Sequence, residues 1–260
     1  YALIILILSF SAPAEANPVR NLISNGAKKI LIIGDPQYGW FGSLACKTER
    51  SNFQKIINIV NEEKFDALFI LGDMADSYPK SKNDRRSRQV SLFMEDIKKI
   101  KIARIIYVAG NHDLGDFPTI ETIKRFEKNF GVPSWYAFRL GDYKFIIINT
   151  ALLKNYKRLP QLYDEQMKFI LKNRDARFVL GHHPMFYKNP SEDNKYYSWP
   201  IKVRNRILSL FAPGTFFFSG HTHKPFQKMA GDFYHINAGT CCAPWRKGGK
   251  SYGVIELDGK

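Results

Sequence analysis

Five short polar motifs, each preceded by an apolar run rich in β-formers, constrain this chain more than any other feature. In chain order they are Gly34-Asp35-Pro36-Gln37, Gly72-Asp73, Gly110-Asn111-His112-Asp113, Gly181-His182-His183 and Gly220-His221-Thr222-His223. The chain contains six histidines, and five of them lie inside these motifs. Short apolar runs ended by glycine predict buried strands, so each motif is expected at the carboxyl end of a strand. Open α/β sheets bind their ligands at these ends.

Amphipathic segments between the apolar runs predict helices. The predicted helices span residues 50–63, 88–101, 118–130, 164–173 and 201–211. A hairpin is predicted from 135–140 and 143–149, with closing strands at 226–228, 233–237 and 252–257. Alternating strands and helices indicate a layered α/β fold, and the additional strands require a second sheet.

The five motifs, taken together and in this order, resemble those of the calcineurin-like metallophosphoesterase superfamily, D-x-[H/Q], GD, GNH[D/E], GH and GHxH. The resemblance covers nearly all of residues 17–260. Gln37 and the run from Asn111 to Thr119 are most similar to the subgroup that contains the animal calcineurin-like phosphoesterase-domain protein phosphatase. The resemblance implies a four-layer αββα sandwich, in which helices flank two central mixed β-sheets.

The resemblance also implies a centre of two divalent metal ions. The implied ligands are Asp73 as the bridge, Asp35, Gln37 and His223 at the first metal, and Asn111, His182 and His221 at the second. Two ions about 3.5–4 Å apart can activate a bridging hydroxide and relieve charge on the phosphoryl oxygens. Imidazole, carboxylate and amide ligands suit Mn, Fe, Zn or Mg and do not select one of them.

The resemblance implies that two further histidines of the motifs do not bind metal. The family pattern puts the ligand directly after the glycine, so His183 is expected behind the ligands or at the rim of the site. His112 is implied to be the general acid that protonates the leaving-group oxygen. Asp76 occupies the position that orients this imidazole in some relatives, and Asp113 is the alternative partner.

The implied activity is hydrolysis of phosphomonoesters, phosphoproteins among them, by attack of the metal-bridging hydroxide. The alternative is a phosphodiesterase or nuclease acting on nucleotides or nucleic acid. A more remote alternative is a non-catalytic scaffold of the same fold, which the filled ligand positions and His112 disfavour.

The residues that would hold the substrate are less well defined. Ser77 stands where Ser/Thr phosphatases of the superfamily carry a phosphate-clamping arginine. The candidate clamps are instead Arg85, Arg86, Arg88 and Arg246, each of which also fits a solvated surface. Trp245 is a candidate wall for the leaving group, or else packs into the core. The polar loops at 78–87 and 187–200 follow metal motifs and are expected to overhang the site.

The net charge of +15 favours anionic partners such as phosphoesters or nucleic acid. The chain lacks the interleaved aromatic and basic stripe that binds single-stranded nucleic acid, so a nucleic-acid partner is not specifically indicated. A solvated lysine-rich face accounts for the charge equally well.

Residues 2–10 are apolar and precede Ala12-Pro13-Ala14-Glu15-Ala16, a pattern typical of a signal peptide cleaved near Ala16. We therefore expect a signal peptide at 1–16, truncated at its start, and a secreted or periplasmic domain at 17–260. A membrane anchor is the alternative, but the apolar block is short for one. No later stretch reaches about 18 apolar residues, so the mature chain is not expected to insert stably in a membrane. Cys46 is expected either to bridge Cys241 or Cys242 or to be a packed thiol like them.

Overall fold

The computed structural model describes residues 3–9, 28–79, 84–193, 196–244 and 249–257. Their strands form two sheets. The five-stranded sheet has the order β1 (Leu3–Ser9), β11 (Ser251–Leu257), β2 (Lys28–Ile33), β3 (Ala67–Ile70) and β4 (Ile105–Tyr107). The six-stranded sheet has the order β5 (Tyr136–Leu140), β6 (Tyr143–Ile147), β7 (Phe178–Leu180), β8 (Phe216–Ser219), β10 (Phe233–Ala238) and β9 (Pro225–Ala230).

Both sheets are mixed, and each contains a run of adjacent parallel strands. In the first sheet β2, β3 and β4 run parallel, while β11 pairs antiparallel with both β2 and β1. In the second sheet β6, β7, β8 and β10 run parallel, with β5 and β9 antiparallel at the edges. The carboxyl ends of the parallel strands are therefore the natural place for a site.

Side chains alternate between the two faces of each strand, and the buried apolar residues form three separate cores. Ile30 and Ile32 of β2 point into a core that both sheets share, whereas Leu31 points to the opposite face. That opposite face packs against α1 (Lys47–Glu62), α2 (Asp84–Ile97) and α4 (Ile120–Phe130). The outer face of the second sheet packs against α6 (Pro160–Lys172) and α7 (Ile201–Leu208). The layers are thus helix, sheet, sheet and helix, as predicted.

Two short helices were not predicted, namely α3 (Asn111–Leu114) and α5 (Thr150–Lys154). Each is about one turn long and begins where a strand has ended, which is too short for an apolar period to reveal. The predicted loop at 78–87 is partly wrong, because α2 already begins at Asp84. Arg85 and Arg88 on its first turns are exposed, so that turn is polar although it is helical.

The segment predicted to be a signal peptide contributes β1, which pairs with β11 so that Leu3 lies opposite Leu257 and Ser9 opposite Ser251. The expected cleavage region near Ala16 lies outside the described residues, and the signal peptide stays a prediction. Within the described ranges, no helix has the length and apolar character needed to cross a membrane. Of the two alternatives for the cysteines, the structure has packed thiols, since Cys46, Cys241 and Cys242 are all buried and unbridged.

Candidate metal centre

The five motifs meet where the parallel strands of both sheets end. β2 and β3 lead to the loops of Asp35 and Asp73, and backbone hydrogen bonds join these two loops. The Gln37 N–H donates to the carbonyl of Asp73 at 2.8 Å. From the second sheet, the His221 N–H donates to the Asp35 carboxylate at 2.9 Å. The seven implied ligands thus come from five strand ends into one buried cluster.

The glycines of the motifs allow the loops to approach each other closely. A Cβ atom on Gly110 would lie 2.1 Å from Oδ1 of Asp73, and one on Gly72 would lie 2.5 Å from Nδ1 of His182. Both distances are shorter than any real side-chain contact. No larger residue fits at either position while the ligands stay in place. This explains why the GD and GNH motifs begin with glycine.

Five of the implied ligands have a left-handed backbone. The φ angles are 47° at Asp35, 41° at Gln37, 54° at Asp73, 69° at His221 and 55° at His223. This conformation costs a non-glycine residue about 1–3 kcal/mol, and such residues cluster at functional sites. Sequence reasoning missed this strain, although Asp and His are among the residues enriched in left-handed conformations.

The side chains assigned to the second metal are already within mutual contact. Oδ1 of Asn111 lies 2.9 Å from Nε2 of His182 and 3.0 Å from Nδ1 of His221. Oδ2 of Asp73 lies 3.2 Å from Nε2 of His182. One ligand atom each from Asp73, His182 and His221 falls within a 4.8 Å cluster, and all three residues are buried. This spacing suits a single ion.

Backbone carbonyls set the orientation of each implied histidine ligand. His182 donates from Nδ1 to the Leu71 carbonyl at 2.7 Å, and His221 donates from Nε2 to the Tyr196 carbonyl at 3.3 Å. His223 donates from Nδ1 to the Ala243 carbonyl. A carbonyl can only accept, so the outer nitrogen carries the hydrogen and the inner nitrogen can present a lone pair. Metal-binding histidines are typically held in this way.

The side chains assigned to the first metal are less closely joined. Oδ1 of Asp35 lies 3.4 Å from Nε2 of His223. The Gln37 amide nitrogen contacts Oδ1 of Asp76 at 3.4 Å and Nε2 of His112 at 3.2 Å. The Gln37 oxygen is buried and has no hydrogen-bond partner in the described part of the chain. A buried oxygen without a partner is costly unless something binds it, and a cation would satisfy it.

Charges within the cluster offset the cost of burying it. Burial disfavours the ionised form of Asp73, but the His182 and His112 charges outweigh burial and hold the pKa of Asp73 below its usual range. Burial acts against protonation of His182, yet the Asp73 carboxylate raises the pKa of that imidazole to about 9. The pKa of His223 is likewise raised, because the Asp35 carboxylate outweighs burial. The Asp73 carboxylate therefore stays anionic at neutral pH and is available to bind cations.

His112 stands beside this cluster with its ring fixed. Its Nδ1 donates to the backbone carbonyl of Asp76, while the Asp76 carboxylate is 4.0 Å away. The Tyr78 ring packs on the imidazole with a centroid distance of 4.3 Å. Asp113, the alternative partner, accepts instead from the backbone N–H of Asp73 at 2.8 Å. The geometry favours Asp76 as the residue that orients His112, through its backbone more than its carboxylate.

The predicted substrate residues lie in different surroundings. Arg85 is exposed on the first turn of α2. Arg86 is buried, and its guanidinium donates to the carbonyls of Ser77 and His112 at 2.5 and 2.6 Å. It therefore braces the His112 loop and is not placed to bind a phosphate. Arg88 is exposed and donates to the Leu44 carbonyl at 2.9 Å. Trp245 and Arg246 lie outside the described residues.

Sequence reasoning missed the contribution of the chain that follows β6. His183 is 3 % exposed, so it lies behind the ligands and not at the rim. Its Nδ1 is 2.9 Å from Oγ1 of Thr150, which also accepts from the backbone N–H groups of His182 and His183. Asn149 and Thr150 directly follow an apolar strand, as the five motifs do, and that position was the signal that could have found them.

The described part of the loop at 187–200 reaches over the site, as predicted. The Tyr196 carbonyl accepts from His221, and the Tyr196 ring is exposed at a centroid distance of 5.7 Å from that imidazole. On the opposite side, the hydroxyl of Tyr78 accepts from the Asn111 amide at 3.1 Å. Two tyrosines therefore border the candidate metal centre.

Sequence comparison finds relatives among named phosphatases. Serine/threonine-protein phosphatase CPPED1 of Bos taurus is 31% identical over 131 residues, which are 46% of this chain and 41% of that protein. The human protein of the same name is 29% identical over 147 residues, 50% of this chain and 46% of that protein. The chain therefore spans less than half the length of these curated relatives.

Structure comparison finds the same fold in a dimetal phosphatase from Danio rerio, with a TM-score of 0.64 and 12% sequence identity. The match covers 87% of this chain and 91% of that one. The sequence matches the calcineurin-like phosphoesterase family over residues 28–225, which include all the implied ligands. The chain therefore belongs to the calcineurin-like phosphoesterase family.

Proposed function

We propose that this chain is a dinuclear metal-dependent phosphoesterase that hydrolyses phosphomonoesters, with His112 as the general acid. The observation that carries the proposal is the convergence of the seven implied ligands, with three imidazoles turned inward by backbone carbonyls. The buried Gln37 oxygen without a partner supports it further. The bridging role assigned to Asp73 is supported by its carboxylate contact with His182 of one group and by its backbone carbonyl, which accepts from Gln37 of the other.

The residues present define what the protein itself contributes. Two bound divalent ions would supply an activated water and neutralise the phosphoryl oxygens. Asp73 is held for this role by its Oδ1, which accepts from the His112 backbone N–H at 2.8 Å. Because Nδ1 of His112 donates to the Asp76 carbonyl, Nε2 is the atom that would deliver a proton to the leaving group, after the Gln37 amide nitrogen 3.2 Å away gives up its contact with Nε2.

The choice of a phosphomonoester, and of phosphoproteins within that class, rests on the named relatives. Both are serine/threonine-protein phosphatases by name. A phosphodiesterase remains the second candidate, since the net charge of +15 suits polyanionic substrates.

The test is a matrix of metal ions against substrates. Apo-protein is reconstituted separately with Mn, Fe, Zn and Mg, and assayed on p-nitrophenyl phosphate, its bis-ester and a phosphoserine peptide. We expect turnover of the monoesters with at least one ion and little turnover of the bis-ester. Faster turnover of the bis-ester would favour the diesterase. Absence of turnover on all three substrates, with two ions bound, would contradict the proposal that the chain is a phosphoesterase.

We also propose that the chain is exported after cleavage near Ala16, on the strength of the apolar block at 2–10 and the Ala-x-Ala pattern that follows it. Amino-terminal sequencing of the protein recovered from its native cells should give a chain that starts at Asn17. A chain that retains residues 2–10 would contradict export by this route.

A further inference from the structure

Lys154, the last residue of α5, lies on the His221 side of the candidate metal centre. Its Nζ donates to the Tyr196 carbonyl at 2.6 Å. The same oxygen accepts from Nε2 of His221 at 3.3 Å. One carbonyl therefore holds both an ammonium group and an imidazole whose other nitrogen faces the centre. No motif marks Lys154 in the sequence, and the structure alone brings it to this place.

The ammonium of Lys154 is half-buried, and its charge acts on histidines of the site. Burial lowers the pKa of Lys154 to about 8, with Asp116 acting in the opposite direction. The Lys154 charge in turn contributes, after burial, to the lowered pKa values of His183 and His221. Of the three donors of an ammonium, the Tyr196 carbonyl takes one. A partly desolvated cation gains more from an incoming anion than a fully hydrated one does.

Among the described residues, two arginines near the centre are less well placed for an anion. The Arg86 guanidinium is buried and engaged by backbone carbonyls. Arg85 is exposed and acts on the Asp76 carboxyl, where its charge opposes the rise in pKa that burial causes. Arg85 therefore stands on the His112 side of the centre, and Lys154 stands on the opposite, His221 side.

We propose that Lys154 binds a non-bridging oxygen of the substrate phosphoryl group and thereby favours phosphomonoesters over phosphodiesters. This inference rests on the proposed function. A monoester carries about −1.5 to −2 charges at neutral pH, whereas a diester carries one. An additional positive charge beside the centre stabilises the more highly charged anion more strongly. On the His221 side of the centre, a lysine then has a role of the kind that the sequence suggested for an arginine.

The experiment separates the charge of Lys154 from its hydrogen bond. Lys154→Gln keeps a donor for the Tyr196 carbonyl and removes the charge, whereas Lys154→Met removes both. Lys157→Gln makes the same charge change three residues away, at an exposed position, and is the matched control. Bound metal is measured for each protein. Inorganic phosphate binding to the metal-loaded proteins is then measured by calorimetry, and KM and kcat are measured on p-nitrophenyl phosphate and its bis-ester.

If the inference holds, both Lys154 variants retain the metals and bind phosphate about 10-fold more weakly, which corresponds to ~1.4 kcal/mol. KM should rise for the monoester more than for the bis-ester, and Lys157→Gln should match the wild type. Unchanged phosphate affinity in both variants would overturn the inference while leaving the proposed function intact. Loss in Lys154→Met alone would also overturn it, because the hydrogen bond would then be the role. Failure of the metal-loaded wild type to bind phosphate would overturn both proposals.

Discussion

The two halves of the candidate metal centre differ in how far the protein assembles them by itself. Around His182 the donor atoms of Asn111 and Asp73 are 2.9 and 3.2 Å from one imidazole nitrogen. In the other half, Asp35 and His223 approach to 3.4 Å, and the Gln37 oxygen has no hydrogen-bond partner among the described residues. The donor atoms around His182 are therefore already close together, whereas those of Asp35, Gln37 and His223 are farther apart, and in both halves a cation would bind the inward-facing lone pairs.

The difference follows from where each half is anchored. Backbone carbonyls fix the histidines of both halves, but around His182 the amide oxygen of Asn111 also lies 2.9 and 3.0 Å from the inner nitrogens of His182 and His221. Gln37 instead turns its amide nitrogen to His112 and Asp76. A change at Gln37 thus touches both a metal ligand and the general acid, so this half of the centre links metal binding to proton transfer.

Asp73→Asn removes the carboxylate proposed to bridge the two halves, and it should reduce activity more than any other change proposed here. A neutral amide cannot bridge two cations as a carboxylate does, so we expect turnover to be abolished and at least one ion to be lost. Metal analysis beside the activity assay checks both parts. Two tightly held ions with near-normal turnover would exclude Asp73 as the bridge.

His112→Asn should leave both halves filled and slow hydrolysis by ~10²–10⁴-fold, the usual contribution of a positioned acid. The loss should be larger for an alkyl phosphate, whose leaving group needs a proton, than for p-nitrophenyl phosphate. Equal losses on the two substrates would argue against the general-acid role.

His182→Asn and His223→Asn form a matched pair that tests the comparison directly. In apo-protein titrated with Zn, the first equivalent should bind to the half around His182, because its donors are already together. We expect His182→Asn to weaken that first equivalent by more than the ~10–100-fold that loss of a residue orienting a ligand costs, and His223→Asn to weaken only the second. The reverse order of effects, read from the same calorimetric titrations, would show that the better assembled half is not the tighter one.

Gln37→His should have the smallest effect on the fold and change metal preference. An imidazole is a softer donor than an amide oxygen. The site formed with Asp35 and His223 should therefore bind Zn or Fe more strongly, relative to Mn or Mg, than it does in the wild type. The check is activity of apo-protein reconstituted with each ion, wild type beside variant. An identical ranking of the ions would mean that Gln37 is not a ligand.

Much of this site could be predicted because strands and motifs obey short-range rules. Apolar runs such as Ala67–Ile70 and the glycines after them located the strand ends, and parallel strands bring those ends together. The orientation of each imidazole could not be predicted, because it depends on carbonyls distant in the chain, such as that of Tyr196 for His221. Lys154 was missed for the same reason, since only the folded loop at 187–200 connects it to the site.

The left-handed backbone at Asp35, Gln37, Asp73, His221 and His223 sets stability against activity at these positions. Glycine would adopt these φ angles without steric cost. Selection for a well-folded protein alone would therefore favour glycine there, and selection for a ligand opposes it. Changing Gln37 to glycine would relieve the left-handed strain and remove a buried oxygen that has no hydrogen-bond partner among the described residues, so the protein should lose activity and yet, in the absence of metal, resist heat better than its parent. These five positions are where a search for stabilising variants would drift away from function first.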